Sequence, residues 1–186
     1  MRLALALEAT LMTFDQERSI MVTNMAEFTF KSDNLDDTQA LAERLGRVLR
    51  GREVIEFISD VGGGKTTFVK GLAKGLDIHD TVQSPTFTIS RLYSGRDDLE
   101  LHHFDFYRLN EAGIVADELA ESLQQPNAIV AVEWGEIVHD VLPPHRITIH
   151  LTSLGDTERK ISITTPAGLT YVDDALAAYA SSRHIA

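Results

Sequence analysis

The fold is decided by residues 59–67, which read Ser59-Asp60-Val61-Gly62-Gly63-Gly64-Lys65-Thr66-Thr67. An apolar run, residues 54–58, precedes this segment, and the helical pattern of residues 68–72 follows it. A strand, a glycine-rich loop and a helix in this order are typical of a phosphate-binding loop, because the glycines let backbone N–H groups turn towards an anion and the helix N-terminus adds partial positive charge. The alternative, a tight turn that binds nothing, leaves Gly-Lys-Thr-Thr at the start of a helix unexplained. We therefore predict phosphate binding.

The residues of this loop have expected roles in binding a nucleotide. Lys65 is expected to reach the β- and γ-phosphates, and the Thr66 hydroxyl to join the coordination shell of Mg²⁺. The other predicted nucleotide-binding residues of the loop are Asp60, Val61, Gly62, Gly63, Gly64 and Thr67. The strict motif has glycine where this chain has Ser59, so the match is one residue short of complete. The chain lacks the Asn-Lys-x-Asp motif that normally gives guanine specificity, which favours ATP as the nucleotide.

The composition is ordinary for a soluble globular protein. The chain has 186 residues, of which 44% are hydrophobic and 24% charged, and it has no cysteine, which excludes disulfides and thiolate metal sites. The apolar run at residues 3–7 is too short for a signal peptide or a membrane span. We expect a loosely ordered leader at residues 1–24, a single P-loop ATPase domain at residues 25–186, a cytoplasmic location and no membrane partner.

The charge of the chain limits its direct partners. A net charge of −11 argues against strong direct binding of nucleic acid, since such binding relies on Lys and Arg to neutralise phosphates. If a nucleic acid takes part in the function, another protein is expected to hold it.

The hydrophobic pattern predicts strands and helices around the phosphate loop. The predicted strands cover Phe28 and Phe30, a hairpin with arms at residues 86–93 and 99–105, a buried strand at residues 128–132, and a hairpin with arms at residues 146–151 and 159–164. The predicted helices are one that Asp36-Asp37-Thr38 caps and Gly51 ends, the one after the phosphate loop, one around residues 117–123, and a closing one with Ala175, Leu176 and Tyr179. The fold class is therefore α/β, a three-layer P-loop nucleotide-binding domain with a mainly parallel sheet and antiparallel hairpin additions.

Two acidic residues end predicted strands, where a phosphate site needs groups to hold Mg²⁺ and orient the attacking group. Glu133 follows the continuous apolar run 128–132, which is typical of a strand buried on both faces. Asp105 ends the run 99–105, whose alternation indicates a half-exposed strand. The alternatives are a solvated charge for Glu133 and a strand-end cap for Asp105. Neighbouring histidines, His102 and His103, point to opposite faces of a strand and do not form a metal site.

Two further residues complete the predicted site. Thr86 follows Ser84-Pro85 in a loop that could contact Mg²⁺ or the terminal phosphate, and its alternative role is that of an ordinary strand-start threonine. Trp134 follows Glu133 directly and is the only tryptophan in the chain. Core packing is the alternative for Trp134, but its place at the strand end favours a lid or a partner contact beside the nucleotide.

Four motifs follow one another along the chain. They are the loop at residues 59–67, Ser84-Pro85-Thr86-Phe87-Thr88, His103-Phe104-Asp105-Phe106-Tyr107-Arg108-Leu109, and Val132-Glu133-Trp134-Gly135-Glu136. With these motifs in this order, the chain resembles the TsaE (YjeE-like) family of bacterial P-loop ATPases. The resemblance runs from about residue 37 to residue 159. One departure besides Ser59 is Gly135, where the family more often has proline or alanine.

This resemblance implies a protein that binds ATP and Mg²⁺ and hydrolyses ATP slowly alone. It implies work with the TsaB and TsaD proteins, which transfer threonylcarbamoyl to adenosine in tRNA, so that contact with tRNA is indirect. By position, the resemblance assigns Glu133 to the metal, Asp105 to the metal or the attacking water, and Thr86 to a mobile loop. It also implies that Thr38 lies near the adenine.

Two other functions remain open from the sequence. A small-molecule P-loop phosphotransferase shares the phosphate loop but usually adds a lid that carries arginines, whereas Arg91, Arg96 and Arg108 are scattered here. A nucleotide-dependent scaffold would hydrolyse ATP only incidentally, and its hydrolysis-dead variants would still support tRNA modification.

Overall fold

A computed structural model describes residues 25–183 of the chain, and the predicted leader at residues 1–24 lies outside this part. The strands are β1 (Ala26–Ser32), β2 (Val54–Ile58), β3 (Ser90–Ser94), β4 (Glu100–Asp105), β5 (Ala128–Glu133), β6 (Ile147–Ser153) and β7 (Arg159–Thr165). The α-helices are α1 (Leu35–Gly46), α2 (Lys65–Gly75), α3 (Gly113–Gln124) and α4 (Thr170–Arg183). Short 3₁₀ helices cover Arg96–Asp98 and Gly135–Val138.

The seven strands form one sheet in the order β1-β7-β6-β2-β5-β4-β3. The four central strands, β6, β2, β5 and β4, run parallel to one another. Antiparallel pairs extend the sheet at both sides, with β7 and β1 beyond β6 and with β3 beyond β4. This arrangement confirms the predicted fold class and both predicted hairpins.

Apolar side chains cover both faces of the sheet. On one face, residues of β2 and β5 pack with Leu41 of α1, Leu72 of α2 and Leu176 of α4. On the other face, alternate residues of the same strands pack with Leu119 of α3. Every residue of β5 is buried, as the continuous apolar run 128–132 predicts. The layers are therefore helices, sheet and helix.

Helix α1 differs from its prediction at both ends. Asn34 is the N-cap, because its side-chain oxygen accepts a hydrogen bond from the Asp37 N–H. The helix ends at Gly46 instead of Gly51. A Cβ atom at Gly46 would lie 2.4 Å from the Leu72 carbonyl oxygen of α2, so only glycine allows this close approach of the two helices. The sequence period alone does not reveal this contact.

The first hairpin also differs from its prediction. Its first arm begins at Ser90, because the N–H groups of Thr88 and Ile89 both donate to the Pro85 carbonyl and fold residues 85–89 into a turn. The prediction that the second arm is half exposed is wrong, since all residues of β4 after Glu100 are buried. Strand β4 lies between β5 and β3 in the sheet, and Leu119 of α3 packs on the same apolar face as Phe104.

Candidate functional site

A cavity of about 370 Å³ is lined by residues at or after the ends of three parallel strands and by two residues of the loop before β3. Its lining consists of residues 61–67, Ser84, Thr86, Asp105, Tyr107, Glu133 and Trp134. The phosphate loop leaves β2 and enters α2, and Gly64 precedes the helix with a φ of 107°, a conformation that favours glycine. Asp105 of β4 pairs in register with Glu133 of β5, which brings the two carboxylates to the same edge of the sheet.

Lys65 is a buried residue of the cavity lining and is held by the loop that it follows. Its Nζ donates to the carbonyl oxygens of Ser59 and Asp60, at 3.2 and 3.1 Å, and to the Ser59 hydroxyl at 3.0 Å. The same Nζ lies 4.2 Å from the centre of the Trp134 ring. Burial lowers the pKa of Lys65, and nearby carboxylates, Glu133 first, oppose that shift. A phosphate is a stronger acceptor for this ammonium group than the backbone carbonyls.

Glu133 connects Thr66 of the phosphate loop to the buried His103. Its Oε1 atom lies 2.9 Å from His103 Nε2 and 3.4 Å from the Thr66 hydroxyl oxygen. An ionised Glu133 requires that His103 carry its proton on Nε2. His103 Nδ1 is buried without a hydrogen-bond partner among the described residues. The structure thus brings Thr66 and Glu133 together, as the sequence predicts.

Asp105 is tied to the loop that contains Thr86. Its Oδ2 atom accepts hydrogen bonds from the hydroxyls of Ser84, at 3.2 Å, and Thr86, and its Oδ1 atom accepts the Tyr107 N–H at 3.0 Å. The side chain is buried, with 3% of its surface exposed. The two hydroxyls fix the loop to Asp105. Any group that binds this carboxylate in their place would therefore release the loop from it.

Comparison with known proteins identifies the family. The family model described as "Threonylcarbamoyl adenosine biosynthesis protein TsaE" matches residues 32–161. The chain belongs to the TsaE family. Among the relatives named tRNA threonylcarbamoyladenosine biosynthesis protein TsaE, that of Treponema pallidum is 38% identical over 71% of this chain and 96% of its own length. The one from Bacillus subtilis is 34% identical over 75% of this chain and 87% of its own length.

A solved structure supports the same assignment. The crystal structure of Bacillus subtilis YdiB superposes with a TM-score of 0.67 at 32% sequence identity. The match covers 87% of this chain and 98% of the YdiB chain. The P-loop architecture is therefore shared along almost the whole of that protein.

Two predicted residues of this TsaE family member lie outside the cavity lining. Thr38 is 2% exposed, and its hydroxyl is 2.7 Å from the Ser32 hydroxyl, so the side chain joins β1 to the first turn of α1. Its place near the adenine stays a prediction. Asp60 contributes its backbone carbonyl to Lys65.

The predicted lid residue Trp134 forms one wall of the cavity. Its ring lies 5.0 Å from the ring of Tyr107, centre to centre, and Tyr107 is 52% exposed. The residue has a φ of 60°, which turns the chain out of β5 directly after Glu133. Lys65, Trp134 and Tyr107 therefore follow one another from the buried base of the cavity to its exposed side.

Sequence reasoning missed three contributors, Ser84, Tyr107 and His103. A signal for His103 exists, because residues two apart in a strand share a face and His103 stands two before Asp105. Ser84 stands two before Thr86, and these two hydroxyls share the Asp105 carboxylate.

Two broader features describe the site and its surroundings. Between residues 25 and 183, no group of three or more His, Asp or Glu side chains is arranged to hold a metal ion by itself. Within the same part of the chain, no helix has the length and apolar character needed to cross a membrane.

Proposed function

We propose that this TsaE family member binds ATP with Mg²⁺ in the cavity and hydrolyses it slowly during the biosynthesis of threonylcarbamoyladenosine in tRNA. One observation carries the proposal: a single cavity is lined by the glycine loop, Lys65, Thr66, Asp105 and Glu133. Together these groups supply a phosphate cradle, a cation, oxygen ligands and a second carboxylate. The names of its relatives support the pathway.

The oxygen ligands at the cavity suit a Mg²⁺ ion that is shared with the phosphates better than a metal ion that protein side chains hold alone. Mg²⁺ prefers oxygen ligands and is commonly bound by one or two carboxylates together with substrate phosphates. The Thr66 hydroxyl and the Glu133 carboxylate, 3.4 Å apart, offer two such oxygens at the cavity. When bound, Mg²⁺ would neutralise charge on the phosphates. A protein-only metal cage is not required for this role.

The two carboxylates are suited to different tasks. Glu133 lies beside Thr66 at the start of α2, so we assign it to the metal. Asp105 accepts hydrogen bonds from two hydroxyls of the Thr86 loop, so we assign it mainly to orienting the attacking water and to positioning this loop. Lys65 would exchange its bonds with Ser59 and Asp60 for bonds to the β- and γ-phosphates.

The partners that we propose are TsaB and TsaD, with tRNA held by the complex. The net charge of −11 supports indirect contact with tRNA, because an acidic surface repels phosphates. A loop ordered by partners and nucleotide, such as the one around Thr86, would make turnover depend on the assembly.

The test measures ATP turnover by the purified chain alone, with TsaB and TsaD, and with tRNA added, beside transfer of threonylcarbamoyl to tRNA. We expect slow turnover alone and a changed rate with the partners. Fast turnover that ignores the partners would contradict the proposal. ATP consumption that depends on a small-molecule acceptor would indicate a phosphotransferase, and full tRNA modification by a hydrolysis-dead variant would indicate a scaffold.

A further inference from the structure

Arg159 links a distant hairpin to the phosphate loop. It is the first residue of β7, opposite Ser153 of β6. Its Nε donates to the Gly63 carbonyl at 3.1 Å, and its Nη2 donates to the Gly62 carbonyl at 3.3 Å. Its remaining nitrogen, Nη1, donates to the carbonyls of the hairpin turn at residues 155, 156 and 158. One guanidinium therefore joins two loops that are almost a hundred residues apart in the sequence.

The contacts of Arg159 with Gly62 and Gly63 satisfy carbonyl groups that an anion-binding loop must turn away from the anion. A loop that turns backbone N–H groups towards an anion must turn other peptide carbonyls away from it. The carbonyls of Gly62 and Gly63 need donors there, and glycines give the loop little stiffness of their own. A guanidinium is a planar fork of five donors and always carries charge, so it can satisfy adjacent carbonyls and fix their relative orientation.

Arg159 differs from Lys65 in what a nucleotide would do to it. Lys65 lines the cavity and donates to the carbonyls of Ser59 and Asp60, and phosphates would draw it away from them. Arg159 does not line the cavity, so its bonds to Gly62 and Gly63 can persist while phosphates are bound. Bound phosphates would therefore remove the bonds of Lys65 to the loop carbonyls but leave those of Arg159 in place.

We propose that Arg159 is a positioning residue that holds the phosphate loop in its anion-binding shape without touching the nucleotide. The part of this inference that concerns nucleotide affinity rests on the proposed function. The part that concerns the shape of the loop does not depend on it, because it rests only on the hydrogen bonds that Arg159 donates to the carbonyls of Gly62 and Gly63.

A simpler role for Arg159 is to stabilise only the hairpin turn through Nη1. A matched control separates the two roles, because Arg96 also donates to several backbone carbonyls, those of Gly46, Arg47 and Leu49 at the end of α1. Arg96 is not part of the cavity lining. Replacing Arg96 removes a comparable set of bonds without changing the phosphate loop.

The experiment compares Arg159→Ala, Arg159→Lys and Arg96→Ala with the unaltered chain. Hydrogen–deuterium exchange across residues 59–66 is measured without nucleotide, and binding of ADP with Mg²⁺ is measured by calorimetry. We expect Arg159→Ala to speed exchange in this segment and to weaken ADP binding about tenfold, the change that 1.4 kcal/mol produces. Arg159→Lys should recover part of both losses, since one ammonium replaces some donors. Arg96→Ala should lower only the melting temperature.

Several outcomes would overturn the inference. One is normal exchange across residues 59–66 in Arg159→Ala, and another is faster exchange of the same size in Arg96→Ala. If the unaltered chain binds no ADP, the proposed function fails, whereas the exchange data still decide the role of Arg159. If ADP binds and Arg159→Ala binds it equally well, the inference fails alone.

Discussion

Two buried glutamates at opposite ends of neighbouring strands have different surroundings. Glu53 precedes β2, Glu133 ends β5, and they are 4% and 3% exposed. Glu53 accepts the N–H groups of Arg50 and Gly51, one on each carboxylate oxygen, and also the Tyr171 hydroxyl. Glu133 accepts only through Oε1, and no described residue donates to its Oε2.

This difference shows that burial alone does not identify a functional carboxylate. A buried charge is costly unless hydrogen bonds satisfy it, and the protein itself satisfies Glu53. Glu133 lines the cavity, and no described residue donates to its Oε2, so this oxygen is available to bind a cation. We therefore propose a structural role for Glu53 and a functional role for Glu133.

The largest effect should come from Lys65→Ala at the cavity end. We expect the affinity for ATP to fall on the order of a hundredfold, because a buried cation directed at the phosphates is lost. Folding should be little affected, since burial of this charge already lowers its pKa and so opposes the charged form. Calorimetric titration with ATP and Mg²⁺ measures the change, and Lys70→Ala, an exposed lysine of the same helix, is the control. Unchanged affinity in Lys65→Ala would contradict the phosphate-loop interpretation.

The next effect separates the two carboxylates of the cavity. Glu133→Ala should weaken nucleotide affinity and Mg²⁺ dependence together, because the ion bridges protein and phosphates. Asp105→Ala should retain most binding and lower turnover about a hundredfold, as the loss of a group acting mainly in the transition state does. Trp134 lies at the cavity, so its fluorescence can follow each titration, and single-turnover assays measure hydrolysis.

The reverse pattern would reverse the assigned roles. If Asp105→Ala loses nucleotide while Glu133→Ala keeps it, Asp105 is the main metal ligand. If neither variant changes binding or turnover, the site lies elsewhere in the chain.

The sequence predicts the elements of this site better than it predicts the contacts between them. The loop at residues 59–67 and the acidic strand ends can each be predicted from a short stretch of sequence, because the apolar run of a buried strand marks where the strand ends. His103 and Glu133 stand 30 residues apart, and Arg159 and Gly63 stand 96 apart. The register of β4 against β5 brings His103 to Glu133, and the β6–β7 hairpin brings Arg159 to Gly63.

The wrong prediction for β4 has the same origin. Alternation in residues 99–105 indicates one exposed face, but α3 supplies Ser122, whose hydroxyl lies 2.9 Å from His102 Nδ1. A polar residue in the strand is therefore buried against a polar partner from a helix. Periodicity detects polarity and cannot detect a partner that arrives from another element.

A smaller effect should come from Glu53→Gln, at the end of the parallel strands opposite to the cavity. The change leaves one acceptor oxygen and places an NH₂ group against one backbone N–H donor, so the free energy of unfolding should fall by about 2 kcal/mol. ATP affinity should stay within about twofold, since well-separated sites act independently. Urea denaturation measures stability, and the calorimetric titration used for Lys65 measures affinity. A loss of affinity at unchanged stability would contradict the distinction between Glu53 and Glu133.

The smallest effect should come from Tyr171→Phe, which removes one of the three donors to Glu53. At pH 8 we expect a loss of about 1 kcal/mol in the free energy of unfolding, because two backbone N–H donors remain. Burial raises the pKa of Tyr171, and the hydrogen bond to Glu53 raises it further. A raised pKa means that the folded chain keeps this proton above pH 10, whereas the unfolded chain releases it there. Stability of the unaltered chain should therefore fall above pH 10 more steeply than that of Tyr171→Phe. Denaturation of both chains at pH 8 and near pH 11 measures this difference, and parallel curves would show that Tyr171 ionises equally in the two states.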